Sequence, residues 1–308
     1  MGILRRMPQV AVVTDSTASL DPEVAAQHGI LVVPLQVVIG AHSYDDGIDP
    51  EAAPESIAAA LREFVPVSTS RPSPAVVLEA YERAAAEGAE AIVSVHLSAE
   101  VSATYESALL AAKDSPVPVH PVDTRQIGAA TGYAAVRAAE AVAGGADAAE
   151  AAEVARRTAE HTLTLFYVDT LEYLRRGGRV GAAAALVGSA LAVKPILEVE
   201  DGRVVTREKV RTSGRALAKL EELAVQAAAD RPVAVTVSHL SNLPGAEALA
   251  ASLSKRLEVN LAGHEVEVSE VGAVIGAHVG PGLVGVVVAP APSPGSPQAE
   301  VDRYRARR

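Results

Sequence analysis

The sequence predicts an α/β protein of two domains, in which a parallel-sheet α/β domain precedes an α+β domain with a mixed or antiparallel sheet. The chain has 308 residues, which is enough for two hydrophobic cores of ordinary size. Strand-like and helix-like segments alternate as far as about His161, and beyond it two strand-like runs meet at Asp201-Gly202, a strong hairpin signal. These patterns place the domains at residues 8–160 and 161–289, followed by a Pro/Ser-rich tail, residues 290–308, that is expected to be disordered.

The N-terminal region alternates strands with helices whose starts can be read from the sequence. Asp21-Pro22 predicts a helix start, with Asp as the N-cap and Pro at the first helical position. The segment from Ile30 to Ile39 is strand-like but is interrupted by Pro34. The apolar strand from Ala91 to Leu97 leads into a helix that should begin near Ser102 as its N-cap. Because ligands sit beyond the carboxyl ends of parallel strands, polar residues there are candidates for a site.

Composition excludes several classes of function. The net charge of −11 argues against nucleic-acid binding and against attraction to anionic membranes. The chain has no cysteine, which removes disulfides, thiolate nucleophiles and cysteine zinc sites. No stretch of the sequence reads as a signal peptide or a membrane span. We therefore expect a cytoplasmic protein without integral membrane association.

Two hydroxyl-bearing turns are candidates for an anion site. Thr69 and Ser70 stand in a loop that enters a helix, where free N–H groups can receive an anion. Ser98 and Ser102 stand in a second turn, after a buried strand. Helix capping alone explains either turn, but both at the edge of one sheet make a shared anion site more plausible. The turn at Asp15-Ser16-Thr17 is expected to satisfy local N–H groups rather than to bind a metal.

Arg179 and His278 each stand among glycines. A guanidinium at Arg179, in Gly177-Gly178-Arg179-Val180-Gly181, is placed to pair with a carboxylate or a phosphate. His278 is surrounded by Gly and Pro, which indicates that something approaches the backbone closely. No neighbouring residue offers a second metal ligand, so we predict no metal site. The alternatives are a helix C-cap for the arginines and a structural histidine.

Several segments together resemble the DegV family of bacterial fatty-acid-binding proteins. In order and spacing the resemblance extends from about Val10 to Val288. It is carried by the segments VTDSTASL, VSTSRPSP, HLSAEVSATYESA, PVDTRQIGAATG, VDTLEYLRRGGRVGAAAALVGSALAVKPIL and VGAVIGAHVGPGLVGVVV.

The resemblance implies two α/β domains with a fatty acid, such as palmitate, in a narrow apolar tunnel of the C-terminal domain. Members act as the non-catalytic carrier subunit of a fatty-acid kinase, in lipid transport or fatty-acid metabolism, and a separate ATP-binding partner phosphorylates the bound acid. The family's carboxylate contacts carry over onto Thr69, Ser102, Arg179 and His278, with Ser70 and Ser98 as secondary candidates. No cofactor is implied beyond the bound fatty acid.

The chain departs from the family pattern at two places. The family usually has Thr-Ser-Gln where this chain has Thr69-Ser70-Arg71, and Ser-Ser-Gly-Leu-Ser-Gly-Thr where it has the stretch from Ser98 to Thr104. Arg71 and Glu100 thereby add one charge of each sign near the predicted head-group site. We expect Glu100 to be solvated, as most loop carboxylates are.

The energetics favour a buried acyl chain with a compensated carboxylate. The apolar stretch from Val180 to Leu197 is a candidate tunnel wall. Each buried CH₂ contributes about 0.8 kcal/mol, so a long chain brings roughly 10 kcal/mol before association costs.

The same residues also suggest alternative functions. Ser102, His278 and Asp15 suggest an esterase or thioesterase triad acting on acyl substrates, although no G-x-S-x-G elbow surrounds Ser102. A kinase in its own right lacks the phosphate loop. A purely structural or regulatory domain stays open.

Overall fold

The structure is a computed structural model that describes residues 9–181, 183 and 193–291. Two features predicted from the sequence lie largely outside these residues: most of the Ala-rich stretch from Gly181 to Ala192, and the tail beyond Ala291. The strands of the described residues are β1 (Val10–Asp15), β2 (Ile30–Val33), β3 (Gln36–Ile39), β4 (His42–Asp45), β5 (Val67–Ser70), β6 (Ala91–His96), β7 (Val119–Asp123), β8 (Leu163–Tyr167), β9 (Lys194–Glu200), β10 (Arg203–Val210), β11 (Val233–His239), β12 (Glu267–Glu270) and β13 (Val284–Pro290).

Helices pack against the sheets and connect their strands. They are α1 (Pro22–Gln27), α2 (Pro54–Arg62), α3 (Pro74–Ala86), α4 (Thr104–Ala111), α5 (Ala129–Ala143), α6 (Ala148–Glu160), α7 (Glu172–Arg176), α8 (Ser213–Ala228), α9 (Leu243–Arg256), α10 (Glu258–Leu261) and α11 (Ala273–Val279), with short 3₁₀ turns at Ser16–Ala18 and Pro50–Ala52. Within the described residues, no helix is long and apolar enough to span a bilayer.

The predicted parallel sheet of the N-terminal part is confirmed. Strands β1, β2, β6 and β7 form a fully parallel sheet in the order β2-β1-β6-β7. One face is covered by α5 and α6 and the other by α3 and α4, each over its own apolar cluster. Because β1 lies in the interior of the sheet, its carboxyl end at Asp15 reaches the middle of the sheet edge, the usual place for a ligand in such folds.

A second, small antiparallel sheet changes the interpretation of two sequence segments. Strands β3, β4 and β5 pair in the order β4-β3-β5. The strand predicted across Ile30 to Ile39 is divided at Pro34, and its two parts belong to different sheets, because proline cannot donate to a continuing ladder. Thr69 was predicted in a loop, but it lies within β5 and pairs with Val37.

The C-terminal part contains the predicted mixed sheet. Its six described strands follow the order β10-β9-β8-β13-β11-β12, and every pair is antiparallel except β11 with β12. Asp201 and Gly202 form the predicted hairpin turn with φ of 51° and 80°, the positive values that a type I′ turn requires. The strands of this sheet begin at Leu163, just after the predicted boundary at residues 160 and 161, which itself stays a prediction.

The two halves of the chain meet along helix α11. Its residues Ala273 and Ala277 belong to the same apolar cluster as Ile57 of α2 and Val37 of β3. At the start of the helix, the backbone N–H of Ala273 donates to Oδ1 of Asp46 at 2.8 Å. A helix from the C-terminal sequence is therefore capped and packed by the N-terminal half.

Helix α5 approaches the end of β1 closely at one glycine. A Cβ built on Gly132 would lie 2.5 Å from the carbonyl oxygen of Ala18 and 3.0 Å from the Leu20 side chain. The contact is with backbone, which cannot move aside as a flexible side chain can. Gly132 thus allows α5 to pack directly on the turn after β1.

We expect Gly132→Ala to lower the free energy of unfolding by about 1–3 kcal/mol, because the added methyl group overpacks this contact. The matched control is Gly214→Ala in α8, where an added Cβ meets nothing within 4 Å. Alanine is favoured over glycine in a helix, so the control should be neutral or stabilising by up to about 1 kcal/mol. Urea unfolding of both variants tests this, and equal stabilities would contradict it.

Candidate functional site

A cavity of about 390 Å³ lies beyond the carboxyl ends of β1 and β6, between the N-terminal and C-terminal sheets. Its volume falls within the usual range for small-molecule sites, about 300–1,000 Å³. Among the described residues, the polar lining consists of Thr17, Thr69, Ser70, Arg71, Ser102, Arg179 and His278. Its apolar lining consists of Leu35, Leu97, Val101, Ala103, Ile127, Phe166, Leu174, Val204, Val274, Ile275 and Val279. All four predicted carboxylate contacts therefore face one cavity.

Arg179 is held in place by backbone carbonyls from both sides of the seam. Its Nε donates to the carbonyl oxygen of Val101 at 2.9 Å, and its Nη1 donates to the carbonyl of Gly177. The side chain is half-buried. These two bonds fix the plane of the guanidinium at the cavity wall, so its charge is oriented before any ligand arrives.

His278 lies near the end of α11 and is bonded to Thr69. Its Nε2 lies 2.8 Å from Oγ1 of Thr69, while its Nδ1 is buried without a hydrogen-bond partner among the described residues. Burial, and secondarily the charge of Arg179, lowers the pKa of His278 from 6.5 to about 4. The imidazole is therefore neutral at pH 7.

The glycines around Arg179 and His278 make room for protein side chains. A Cβ on Gly177 would lie 2.1 Å from Nδ1 of His278, and a Cβ on Gly280 would lie 2.0 Å from the ring of Tyr173. The close approach predicted from the glycine-rich sequence is therefore real, and what approaches is the protein's own side chains. Gly177 in particular allows the imidazole of His278 to approach the backbone next to Arg179 closely.

Ser102 does not cap a helix, contrary to the prediction. Helix α4 begins at Thr104 and its N-cap is Ala103, because the backbone N–H of Ser102 turns back to the carbonyl of Ser98 at 3.2 Å. The hydroxyl of Ser102 is 2.9 Å from Oγ1 of Thr104. It lies half-buried at the cavity wall, where it can still donate to or accept from a ligand.

The secondary candidates separate in the structure. Ser70 lines the cavity, whereas Ser98 is not among the described residues that line it. Ser98 is buried and donates to the carbonyl of Gly202 at 2.8 Å, so it connects the two sheets.

The two charged departures from the family pattern also differ in position. Glu100 pairs with Arg203 at 2.6 Å, and Arg71 lines the cavity while its Nη1 donates to the carbonyl of Ala103 at 3.2 Å. Arg71 therefore adds positive charge to the lining. The carboxylate of Glu100 is neutralised by its pairing with Arg203.

A fully buried polar relay that the sequence did not indicate ends beside the cavity. The hydroxyl of Tyr81 donates to Ser94 at 2.8 Å, Ser94 lies 2.7 Å from Nε2 of His96, and Nδ1 of His96 lies 2.8 Å from Oδ2 of Asp15. All four side chains are excluded from solvent. Nδ1 of His96 can donate to Asp15, which makes Asp15 the acceptor at the end of these hydrogen bonds.

Asp15 is the hydrogen-bond acceptor at the end of the relay that lies nearest the cavity. It accepts from the hydroxyl and backbone N–H of Thr17 and from the backbone N–H of Leu97 at 3.3 Å. Thr17 and Leu97 both line the cavity. The turn predicted at Asp15-Ser16-Thr17 is confirmed, and the relay fixes it from below. The hydroxyl proton of Thr17 is committed to Asp15.

The relay also bears on the hydrolase alternative. The predicted triad needs Asp15 to orient His278, but Asp15 is bonded to His96. Ser94, His96 and Asp15 have triad-like spacing, yet each is fully buried and no substrate can reach them. The arrangement at the cavity itself, a fixed guanidinium and hydroxyls beside an apolar wall, suits a small anionic group on an apolar body.

Comparison with known proteins agrees with this architecture. A family model described as "Uncharacterised protein, DegV family" matches residues 9–291. A DegV domain-containing protein of Streptomyces coelicolor is 52% identical over 279 residues, 91% of this chain and 98% of that protein. The DegV protein of Bacillus subtilis is 34% identical over 284 residues, 90% of this chain and 98% of that protein.

Two solved structures share the whole fold. A DegV family protein from Thermus thermophilus, described for its fatty-acid binding, has a TM-score of 0.82 at 32% identity and covers 92% of this chain and 100% of its own. The Bacillus subtilis DegV structure, described as a fatty-acid-binding protein, has a TM-score of 0.84 at 31% identity with the same coverage. The resemblance seen in the sequence is thus confirmed over nearly the whole described chain, and this protein belongs to the DegV family.

Proposed function

We propose that this protein binds one long-chain fatty acid, with the carboxylate at Thr69, Ser102, Arg179 and His278. The observation that carries the proposal is the convergence of these four side chains, from distant parts of the sequence, on one largely apolar cavity. An isolated buried carboxylate is very costly unless it is paired and hydrogen-bonded. One fixed guanidinium and two hydroxyls supply that compensation, and the fatty-acid binding described for the Thermus and Bacillus relatives supports the assignment.

In this proposal His278 acts by orienting Thr69. A neutral imidazole with its proton on Nε2 donates to Oγ1 of Thr69, 2.8 Å away, which leaves the threonine hydroxyl proton to donate to the ligand. In the opposite tautomer, Nε2 of His278 would accept the hydroxyl proton of Thr69, which could then no longer donate to the ligand. The proton on Nδ1 would also be buried without a partner, since Nδ1 has none among the described residues. The low pKa of His278 keeps this neutral donor in place at pH 7.

The acyl chain occupies the apolar part of the cavity in this proposal. Ile127, Phe166, Leu174 and Val204 line the cavity and lead toward the C-terminal sheet. Val180 and Leu197, the ends of the predicted tunnel wall, pack in the apolar cluster that also contains Phe166 and Leu174. An acid of palmitate length gains roughly 10 kcal/mol of transfer free energy by burial there, before association costs.

We further propose that the protein is a non-catalytic, cytoplasmic carrier that presents the acid to a separate ATP-dependent fatty-acid kinase and needs no cofactor. A head group at the seam, and not at the blind end of a tunnel, supports presentation to a partner. Arg71 and Arg179 at the cavity provide positive charge where a phosphoryl donor would approach. The esterase alternative is not favoured, because Asp15 is committed to His96.

Native mass spectrometry of protein purified from a bacterial host should show one additional long-chain fatty acid mass. The double variant Arg179→Ala with Ser102→Ala removes the charge and one donor, so we expect it to lose at least about 90% of the bound lipid, equivalent to more than 1.4 kcal/mol. The matched control is Arg175→Ala, since Arg175 lies in the same segment but pairs with Glu172 at the surface. Normal retention in the double variant would place the head group elsewhere.

The kinase role predicts acyl phosphate formation only when three components are mixed: the lipid-loaded protein, ATP and a bacterial fatty-acid kinase subunit. The wild-type protein should support labelled acyl phosphate, and the Arg179→Ala, Ser102→Ala variant should support less than about a tenth of it because it presents no acid. Thin-layer chromatography measures the product. Hydrolysis of a p-nitrophenyl acyl ester that is lost in Ser102→Ala would instead support the esterase.

The neutral His278 predicts a specific pH dependence of stability for the lipid-free protein. The unfolded histidine takes up a proton near pH 6.5, whereas the folded one does so only near pH 4. Stability from this residue is therefore complete above pH 6.5 and falls as the pH decreases toward 4, by on the order of 3 kcal/mol. Urea unfolding at pH 7, 5.5 and 4.5 should show a smaller loss in His278→Gln than in wild type, with the exposed His42→Gln as control. Parallel curves for wild type and His278→Gln would refute the assignment.

A further inference from the structure

The cavity between the two sheets carries more positive charge than one carboxylate can balance. Arg71 and Arg179 both line it, and no Asp or Glu is among the described residues of the lining. His278 adds no charge at pH 7, because burial lowers its pKa to about 4. The whole chain has a net charge of −11, so this lining runs against the general charge of the molecule. It suits a head group with two negative charges.

Neighbouring carboxylates do not neutralise these two arginines. In the described part of the chain, the hydrogen bonds of Arg71 and Arg179 go to backbone carbonyls and not to carboxylates. Glu100 is paired with Arg203 at 2.6 Å. Asp15 is fully buried in the relay with its own donors and is not among the described residues that line the cavity. Both positive charges are therefore left for a ligand.

The two guanidinium groups are held on either side of Ser102. Nε of Arg179 donates to the carbonyl oxygen of Val101 at 2.9 Å, and Nη1 of Arg71 donates to the carbonyl oxygen of Ala103 at 3.2 Å. Residues two positions apart are separated by at most about 7 Å, so both arginines are anchored at the same turn. A guanidinium has five N–H donors, and those not used on carbonyls are available to a ligand. One head group beside Ser102 can therefore contact both arginines.

The two arginines differ in their exposure to solvent. Arg179 is half-buried at the seam, whereas Arg71 is exposed at the outer part of the lining. A carboxylate that contacts Thr69, Ser102 and Arg179 needs only one positive charge to balance it. Arg71 is then left on the solvent side of the carboxylate, which is the side from which a phosphoryl donor must approach.

The phosphorylation step of the proposed function supplies a second negative charge at this position. A carboxylate oxygen of the bound acid attacks the γ-phosphorus of ATP, the bond from that phosphorus to its bridging oxygen breaks, and ADP leaves with the bridging oxygen. The head group changes from a carboxylate with one negative charge to an acyl phosphate with two, and no proton is transferred. Arginine suits the new group, because its planar fork binds phosphate oxygens through two parallel hydrogen bonds.

We propose that Arg71 binds the phosphoryl group of this acyl phosphate and makes the chain selective for the phosphorylated product over the free acid. The inference rests on the proposed function and adds to it a residue that determines specificity. The family usually has Gln where this chain has Arg71. Gln is neutral and cannot balance the second charge of the product, so this chain should retain its product more tightly than a chain with Gln at this position.

Binding of two stable probes, palmitate and hexadecyl phosphate, to the lipid-free full chain at pH 8 tests this role by calorimetry. The probes have the same chain length, and hexadecyl phosphate is dianionic at this pH because the second pKa of a phosphate monoester is about 6. Arg71→Gln should weaken hexadecyl phosphate at least about tenfold and palmitate less than about threefold, since only the second charge loses its partner. Arg71→Lys keeps the charge without the paired hydrogen bonds and should give an intermediate loss.

The matched control is Arg62→Gln, which removes the same charge from an exposed residue in the last turn of α2 that is not among the described lining residues. It should change neither affinity. Equal losses of both probes in Arg71→Gln, or a loss of hexadecyl phosphate no larger than in the control, would overturn the role of Arg71, while palmitate binding by the wild type would leave the proposed function standing. A wild type that binds neither probe would overturn both proposals. Binding of hexadecyl phosphate alone would refute the fatty-acid function, and the Arg71→Gln comparison would still decide this inference.

Discussion

The packing of one short helix across the seam determines where the site is. Helix α11 comes from the C-terminal sequence, but Asp46 caps it and Ile57 and Val37 pack against it from the N-terminal half. Its Gly276 lies within reach of Leu240 and Ile57, and an added Cβ would approach Leu240 to 3.2 Å. The cavity, Thr69 on β5 and His278 on α11 meet only because this helix is held from both sides. Either half alone would carry part of a site.

Charge compensation explains why the cavity wall is organised as it is. Asp15 and Arg179 lie close to it, and each is hydrogen-bonded to protein groups before a ligand binds. Asp15 takes backbone and side-chain donors from Thr17, Leu97 and His96, so it offers no repulsive, unpaired charge to an acid. Arg179 donates two N–H groups to backbone carbonyls, and these hydrogen bonds orient the guanidinium. Such preorganisation lowers the entropic cost of binding a head group.

Local patterns in the sequence correctly predicted those structural features that depend only on residues close together in the sequence. Asp21 does cap α1 with Pro22 at its first turn, and Asp201-Gly202 does form the hairpin. The parallel sheet followed from strand and helix alternation, since right-handed crossovers leave few other topologies. The Gly-flanked Arg179 and His278 were singled out from sequence alone, and both face the cavity.

Contacts between residues far apart in the sequence could not be predicted from local patterns. Ser102 has the sequence of an N-cap, but a turn back to Ser98 moves the N-cap one residue later, to Ala103. Ser98 itself bonds to Gly202, 104 residues away, and nothing in its local sequence specifies that partner. The relay from Tyr81 to Asp15 joins residues of three separate elements, so its members look like ordinary core residues when taken singly. The antiparallel sheet containing Thr69 was missed because its strands are only four residues long.

Two hollows of the molecule lie at opposite ends of the same helix. Asp46 and Gly272, at the start of α11, line a hollow of about 840 Å³, and His278, near its end, lines the cavity between the N-terminal and C-terminal sheets. Seven residues of α-helix are only about 10 Å long and behave as a rigid unit on that scale. Burial raises the pKa of Asp46, so removing this carboxyl from solvent has a cost that its bond to Ala273 and the packing of α11 offset. The contacts that fix Asp46 and Gly272 at the start of the helix therefore also fix the position of His278, and through it the hydroxyl of Thr69.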